Sequence, residues 1–115
     1  MSKDICKLMV STLDDMKASD IVVFDVSKIT SITDNMIIAS GRSSRHVKSL
    51  ANKSIEVAKE NGIDVLGSEG FQDGEWVLID LGYAVIHVMQ PVIRDLYQLE
   101  KLWSHDSADS KAAEY

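Results

Sequence analysis

The sequence predicts a mixed sheet with helices packed on it, in the α/β or α+β class, and three observations carry that reading. Apolar residues recur at three- and four-residue steps in three separate segments, while the segments between them are short, β-branched and alternating or continuously apolar. Two of those short segments flank Gly82-Tyr83, a two-residue hairpin signal. The composition, 45% hydrophobic and 26% charged over 115 residues, supplies one ordinary core and one domain.

The first helix is expected over Asp4 to Lys17, where Ile5, Leu8, Met9, Leu13 and Met16 fall on one stripe. Asp20 to Val26 (DIVVFDV) is almost continuously apolar, as in a strand covered on both faces, and is placed near the sheet centre. Ser27 to Asn35 reads as a connection, and Met36 to Ser40 (MIIAS) as a second strand. Gly41 ends that strand. Ser43 or Ser44 then caps a second helix with the buried stripe Val47, Leu50, Ala51, Ile55 and Ala58, and Gly62 suits the left-handed position past its end.

Ile63 to Leu66 reads as a short strand, followed by a polar stretch broken by Gly67, Gly70 and Gly74. The hairpin of Trp76 to Leu81 and Ala84 to Met89 should pair Asp80 with Val85, Leu78 with His87 and Trp76 with Met89. Because strand side chains alternate, Val77, Ile79, Leu81, Ala84, Ile86 and Val88 form an apolar core face. Trp76, Leu78, Asp80, Val85, His87 and Met89 form the mixed opposite face. Pro91 suits the first turn of a third helix running to about Trp103. The domain is therefore placed at residues 1–103, and residues 104–115, which lack a periodic apolar face, are read as a flexible tail.

Charge and cysteine content narrow the function. With 18 acidic and 12 basic residues the net charge is −6, which disfavours extensive direct contact with RNA but allows docking on a basic protein. The single cysteine, Cys6, makes no internal disulfide, and no apolar run reaches the length of a membrane span, so a cytoplasmic protein is expected.

Chemical motifs are weak. Gly41-Arg42-Ser43-Ser44-Arg45 stands where a phosphate loop would, but it lacks the Walker lysine and spacing and the third glycine of a dinucleotide fingerprint; a turn with an N-cap explains it better. Asp20 and Asp25 are five positions apart and leave opposite faces of a strand, so no carboxylate pair for a metal-dependent nucleotidyl transfer is evident. Asp25 suits a strand end and Asp80 a hairpin turn. His46, His87 and His105 lack zinc spacing, and Cys6 reads as a packing residue; no metal or cofactor site is expected. The mixed face is either a docking surface, with Trp76, Leu78 and Met89 as apolar anchors beside Asp80 and His87, or is covered by helix three through Leu96, Leu99 and Trp103. Helix three also carries a second strip of Ile93, Tyr97 and Glu100, with Arg94 beside it.

The ordered series ASDIVVFDV, SITDNMIIASGRSSRHVKSLA, LGSEG, GEWVLIDLG, VIHVM and RDLYQLEKLW, spanning Ile5 to Trp103, resembles the RsfS/Iojap family of ribosomal silencing factors. Each fragment alone is unspecific; the order and spacing together are specific. The resemblance implies a nucleotidyltransferase-like fold without that activity, hence a protein that is not an enzyme and uses no cofactor. It implies binding to the large-subunit ribosomal protein uL14, a steric block to subunit association, and repression of translation when nutrients are short or growth slows. Carried over by position, the partner-binding surface comprises Trp76, Leu78, Asp80, His87, Met89, Arg94, Tyr97 and Glu100. Family members also occur as dimers, for which the Met-bearing first helix offers a self-contact. The alternatives are an assembly adaptor for the large subunit and a nucleotide-binding enzyme with a degenerate transferase site.

Overall fold

The computed structural model describes residues 2–101 and 113–114. The chain runs α1 (Ser2–Asp15), β1 (Ser19–Asp25), β2 (Asn35–Ser40), α2 (Ser44–Glu60), β3 (Gly67–Glu69), β4 (Trp76–Asp80), β5 (Ala84–Met89), α3 (Pro91–Tyr97) and β6 (Ala113–Glu114). The strands form one mixed sheet in the order β3-β4-β5-β2-β1-β6. Among the described residues only β2 and β5 pair in parallel; the remaining neighbours are antiparallel. The expected mixed sheet with packed helices is thus the architecture observed.

The hairpin has the register its alternation dictates: Trp76 opposes Met89, Leu78 opposes His87, and Asp80 opposes Val85. Val77, Ile79, Ala84, Ile86 and Val88 are fully buried under α1 and α2. Apart from the smaller Ala84, each of these buried side chains contributes roughly 1.5–3 kcal/mol of transfer free energy, so this face dominates the core. Helix α1 supplies Met9 and Leu13, both wholly buried, and α2 supplies Val47, Leu50, Ala51 and Ala58. Ile55 is only partly covered. Ser54 takes the fully buried place instead, its hydroxyl donating to the Leu50 carbonyl at 2.9 Å.

A second, smaller cluster lies on the opposite face of the sheet. Val22, Phe24, Val26, Met36, Ile38 and Met89 are buried there, with Ile29, Trp76, Ile93 and Leu99 packed against them. Helices therefore cover one face fully, while α3 covers the other in part.

Four sequence expectations are corrected. β1 lies beside β2 and the two-residue β6, not at the sheet centre, which belongs to β5 and β2. Its apolar run reflects cover on both faces, Ile21 and Val23 toward one cluster and Val22 and Phe24 toward the other, which sequence cannot distinguish from central position. The short strand falls at Gly67–Glu69, not over Ile63 to Leu66. Ile63 and Val65 pack on the core instead, and the ladder register with β4 opens only at Gly67. Helix three stops at Tyr97, because Gln98 is left-handed (φ 49°, ψ 50°) and its N–H donates to the Arg94 carbonyl. Helical backbone resumes over residues 99–101. Leu96, expected to cover the mixed face, is 70% exposed, while Ile93 and Leu99 point inward. The expected tail and Trp103 lie outside the described residues, apart from Ala113–Glu114, whose backbone pairs with Val22 and Val23 of β1.

Candidate functional site

The surface begins where the β3 ladder ends. β3 pairs only with Leu78 to Asp80, leaving the first residues of β4 beyond it. There the Trp76 indole Nε1–H donates to His87 Nδ1 at 2.9 Å, and the Tyr97 ring packs on the indole at a centroid distance of 5.0 Å and a tilt of 51°. Trp76 and His87 are diagonal neighbours across the antiparallel pair, a separation that an indole can span. Trp76 remains half-buried and Tyr97 is 57% exposed, so the aromatic pair is both fixed and accessible.

His87 is buried, and burial pushes its pKa down to about 4. The imidazole is therefore neutral at physiological pH. Because Nδ1 accepts the indole hydrogen, the ring proton belongs on Nε2.

Arg94, in the last turn of α3, is buried. Its Nε and one terminal nitrogen donate to the two Glu100 carboxylate oxygens at 2.8 and 3.2 Å, and the other terminal nitrogen donates to Ser40 Oγ at 2.8 Å. The left-handed Gln98 makes this return of Glu100 toward Arg94 feasible. Asp80, four positions along β4 from Trp76, accepts the Gly82 N–H at 2.8 Å and closes the hairpin turn, as its position in the sequence suggests.

The eight residues carried over by resemblance thus separate by exposure. Tyr97 is exposed, and Trp76, Leu78, Asp80 and Glu100 are partly exposed. His87 and Arg94 are buried, and Met89 is wholly enclosed. Met89 lies under Trp76, His87 holds its indole, and Arg94 fixes Glu100. Val92 and Leu96, at 76% and 70% exposure and one turn apart, add an apolar strip on α3 that the sequence reading did not assign to the surface. Their four-residue spacing was the available signal, but Ile93 and Tyr97 repeat it one position later, and spacing alone does not say which stripe turns outward.

The Gly41 to His46 loop spends its polar groups internally. Ser43 caps α2 by accepting the His46 N–H at 3.1 Å. His46 Nδ1 accepts the Arg42 N–H at 2.9 Å, which leaves Nε2–H to donate to the Met16 carbonyl, also at 2.9 Å. The imidazole so ties the start of α2 to the chain just after α1. Cys6 is buried, and its thiol is pushed up to about 11 by desolvation, then by the charges of Asp25 and Asp34; it is not a thiolate at neutral pH. Asp25 accepts the N–H and hydroxyl of Ser27 at the end of β1. Among the described residues no group of three or more His, Cys, Asp or Glu side chains could hold a metal ion, and no helix is long and apolar enough to cross a membrane.

These features define a mixed α/β protein that presents an accessible aromatic pair, Trp76 and Tyr97, on buried polar supports. The chain belongs to the ribosomal silencing factor family: the family model described as "Ribosomal silencing factor during starvation" matches residues 1–114. A ribosomal silencing factor of Chromobacterium violaceum is 50% identical over 101 residues, covering 88% of this chain and 83% of that one. A crystal structure of a protein from the same organism superposes with a TM-score of 0.89 at 48% identity, covering 90% of this chain and 87% of the other. A mouse protein named for mitochondrial assembly of the ribosomal large subunit is 34% identical over 110 residues, which are 93% of this chain and 48% of that protein.

Proposed function

We propose that this protein docks on ribosomal protein uL14 of the large subunit through the surface headed by Trp76, Leu78 and Tyr97, and so blocks joining of the small subunit. Family membership supports the ribosomal target. The observation that carries the docking surface is the Trp76 indole, held by His87 and Tyr97 yet still accessible. Large aromatic side chains fixed before contact are the residues that dominate binding energy at protein interfaces. Val92 and Leu96 widen the apolar area, and the net charge of −6 favours encounter with a basic partner.

Occupying a surface that the small subunit needs is enough for silencing, and no bond is made or broken. We place this activity in the cytoplasm, with repression of translation under nutrient limitation as its use. Trp76→Ala should weaken co-sedimentation with isolated large subunits at least about thirtyfold, the effect of ~2 kcal/mol. An unchanged circular-dichroism spectrum must accompany the loss. Undiminished binding by a folded Trp76→Ala protein removes the proposed anchor.

The mouse relative's name favours a second reading, an adaptor for large-subunit assembly. Binding to precursor particles but not to mature large subunits would select it.

A further inference from the structure

We infer that His87 is the positioning residue of the docking surface: it acts through Trp76, presetting the indole, and does not itself meet the partner. This rests on the docking reading above. His87 is 6% exposed and offers a partner almost nothing to touch. On β5 it is flanked by Leu78 of β4 and by the fully buried Ile38 of β2, both in register with it, so the imidazole sits between neighbours on either side. Its Nδ1 stands 2.9 Å from the indole nitrogen, with the ring centroids 5.8 Å apart at 45°. Tyr97 bounds the indole through a second ring contact, at 5.0 Å. An indole tethered by its only hydrogen-bonding atom and bounded by a second ring loses its rotamer freedom before docking rather than during it, which favours association.

The geometry distinguishes this role from simple core filling. Asparagine can place its carbonyl oxygen close to where Nδ1 stands, whereas leucine fills space and accepts no hydrogen bond. The test uses the full chain with His87→Asn, His87→Leu, Trp76→Phe and the His87→Leu/Trp76→Phe pair. Two readouts are taken: the Trp76 indole N–H resonance, identified by its loss in Trp76→Phe, and affinity for isolated large ribosomal subunits.

His87→Leu should shift the indole resonance to lower frequency, speed its exchange with water and weaken binding about tenfold. His87→Asn should restore most of both. In the Trp76→Phe background, His87→Leu should change affinity less than about twofold, because the group it acts through is already gone. An indole resonance unmoved by His87→Leu overturns the inference, as does an equal loss of binding in the Trp76 and Trp76→Phe backgrounds. Should His87→Leu fail to fold, a folded His87→Asn protein with a protected indole and retained affinity supports the role, and one with a protected indole but lost affinity overturns it. A shifted resonance with unchanged binding, together with full binding by Trp76→Phe, overturns the role through the docking reading rather than through the hydrogen bond.

Discussion

Arg94 and Glu100 form a bidentate ion pair across the left-handed break that ends α3, with the guanidinium also bonded to Ser40 on β2. The arginine side chain is 9% exposed and the glutamate 35%, so truncating the glutamate leaves a buried cation short of its partner. Glu100→Ala should destabilise the fold by about 2 kcal/mol, below the roughly 3–5 kcal/mol of a fully buried pair because the carboxylate is partly solvated. For a domain of this size that is a fall in Tm of roughly 10 °C. A thermal melt unchanged by the substitution would show that the pair carries little of the α3 anchoring.

Two glycines with similar backbone angles should respond differently to alanine. Gly62 (φ +71°) has open space where a Cβ would go, so Gly62→Ala should cost only about 1 kcal/mol of left-handed strain. Gly70 (φ +94°) would drive its Cβ into the Trp76 carbonyl oxygen. Gly70→Ala must therefore move the chain that wraps the start of β4, and should cost several times more in denaturant titration while perturbing the Trp76 environment. Equal costs at the two sites would contradict the close approach.

Stability should depend on pH through His87. Its folded pKa of about 4 lies below the ordinary value of 6.5, so between those values the unfolded chain binds the proton and the folded chain does not. The contribution is complete above about pH 6.5 and is lost as the pH falls toward 4, amounting to at most about 3 kcal/mol. The Trp76 hydrogen bond acts in the same direction, since a protonated Nδ1 cannot accept it. Denaturant midpoints of the parent and His87→Asn should therefore converge as the pH drops from 7 to 4. A constant gap across that range would sink the assignment of a buried neutral imidazole.

His46 joins two segments that are distant in sequence, accepting from Arg42 and donating to Met16. His46→Ala should expose the Arg42 amide to faster hydrogen exchange and cost about 1 kcal/mol, the scale of one or two net hydrogen bonds. Unaltered exchange at Arg42 would show that the loop holds itself without the imidazole.

Much of the fold was legible because β4 and β5 alternate around a two-residue turn; that pattern dictates both register and core face. The N-cap at Ser43 and the left-handed Gly62 were equally local signals. What escaped was non-local. The position of β1 in the sheet depends on pairing partners far along the chain, and the break at Gln98 goes with a return of Glu100 to Arg94 that helical periodicity does not signal. Trp76, Leu78 and Asp80 were readable as one strand face, but alternation says nothing of hydrogen bonding, so the Trp76 to His87 bond appears only in three dimensions. Likewise α3 shows two apolar stripes in sequence, and only packing turns Ile93 inward and leaves Leu96 to solvent.

The most direct test of the docking account is subunit joining itself. Purified large and small subunits are mixed with increasing amounts of the protein, magnesium is raised to promote joining, and particles are resolved on a sucrose gradient. The account predicts that joined ribosomes fall with dose, that the protein travels with the large subunit, and that folded Trp76→Ala protein does neither at the same concentration. Normal joining in the presence of excess protein bound to the large subunit would contradict the steric block.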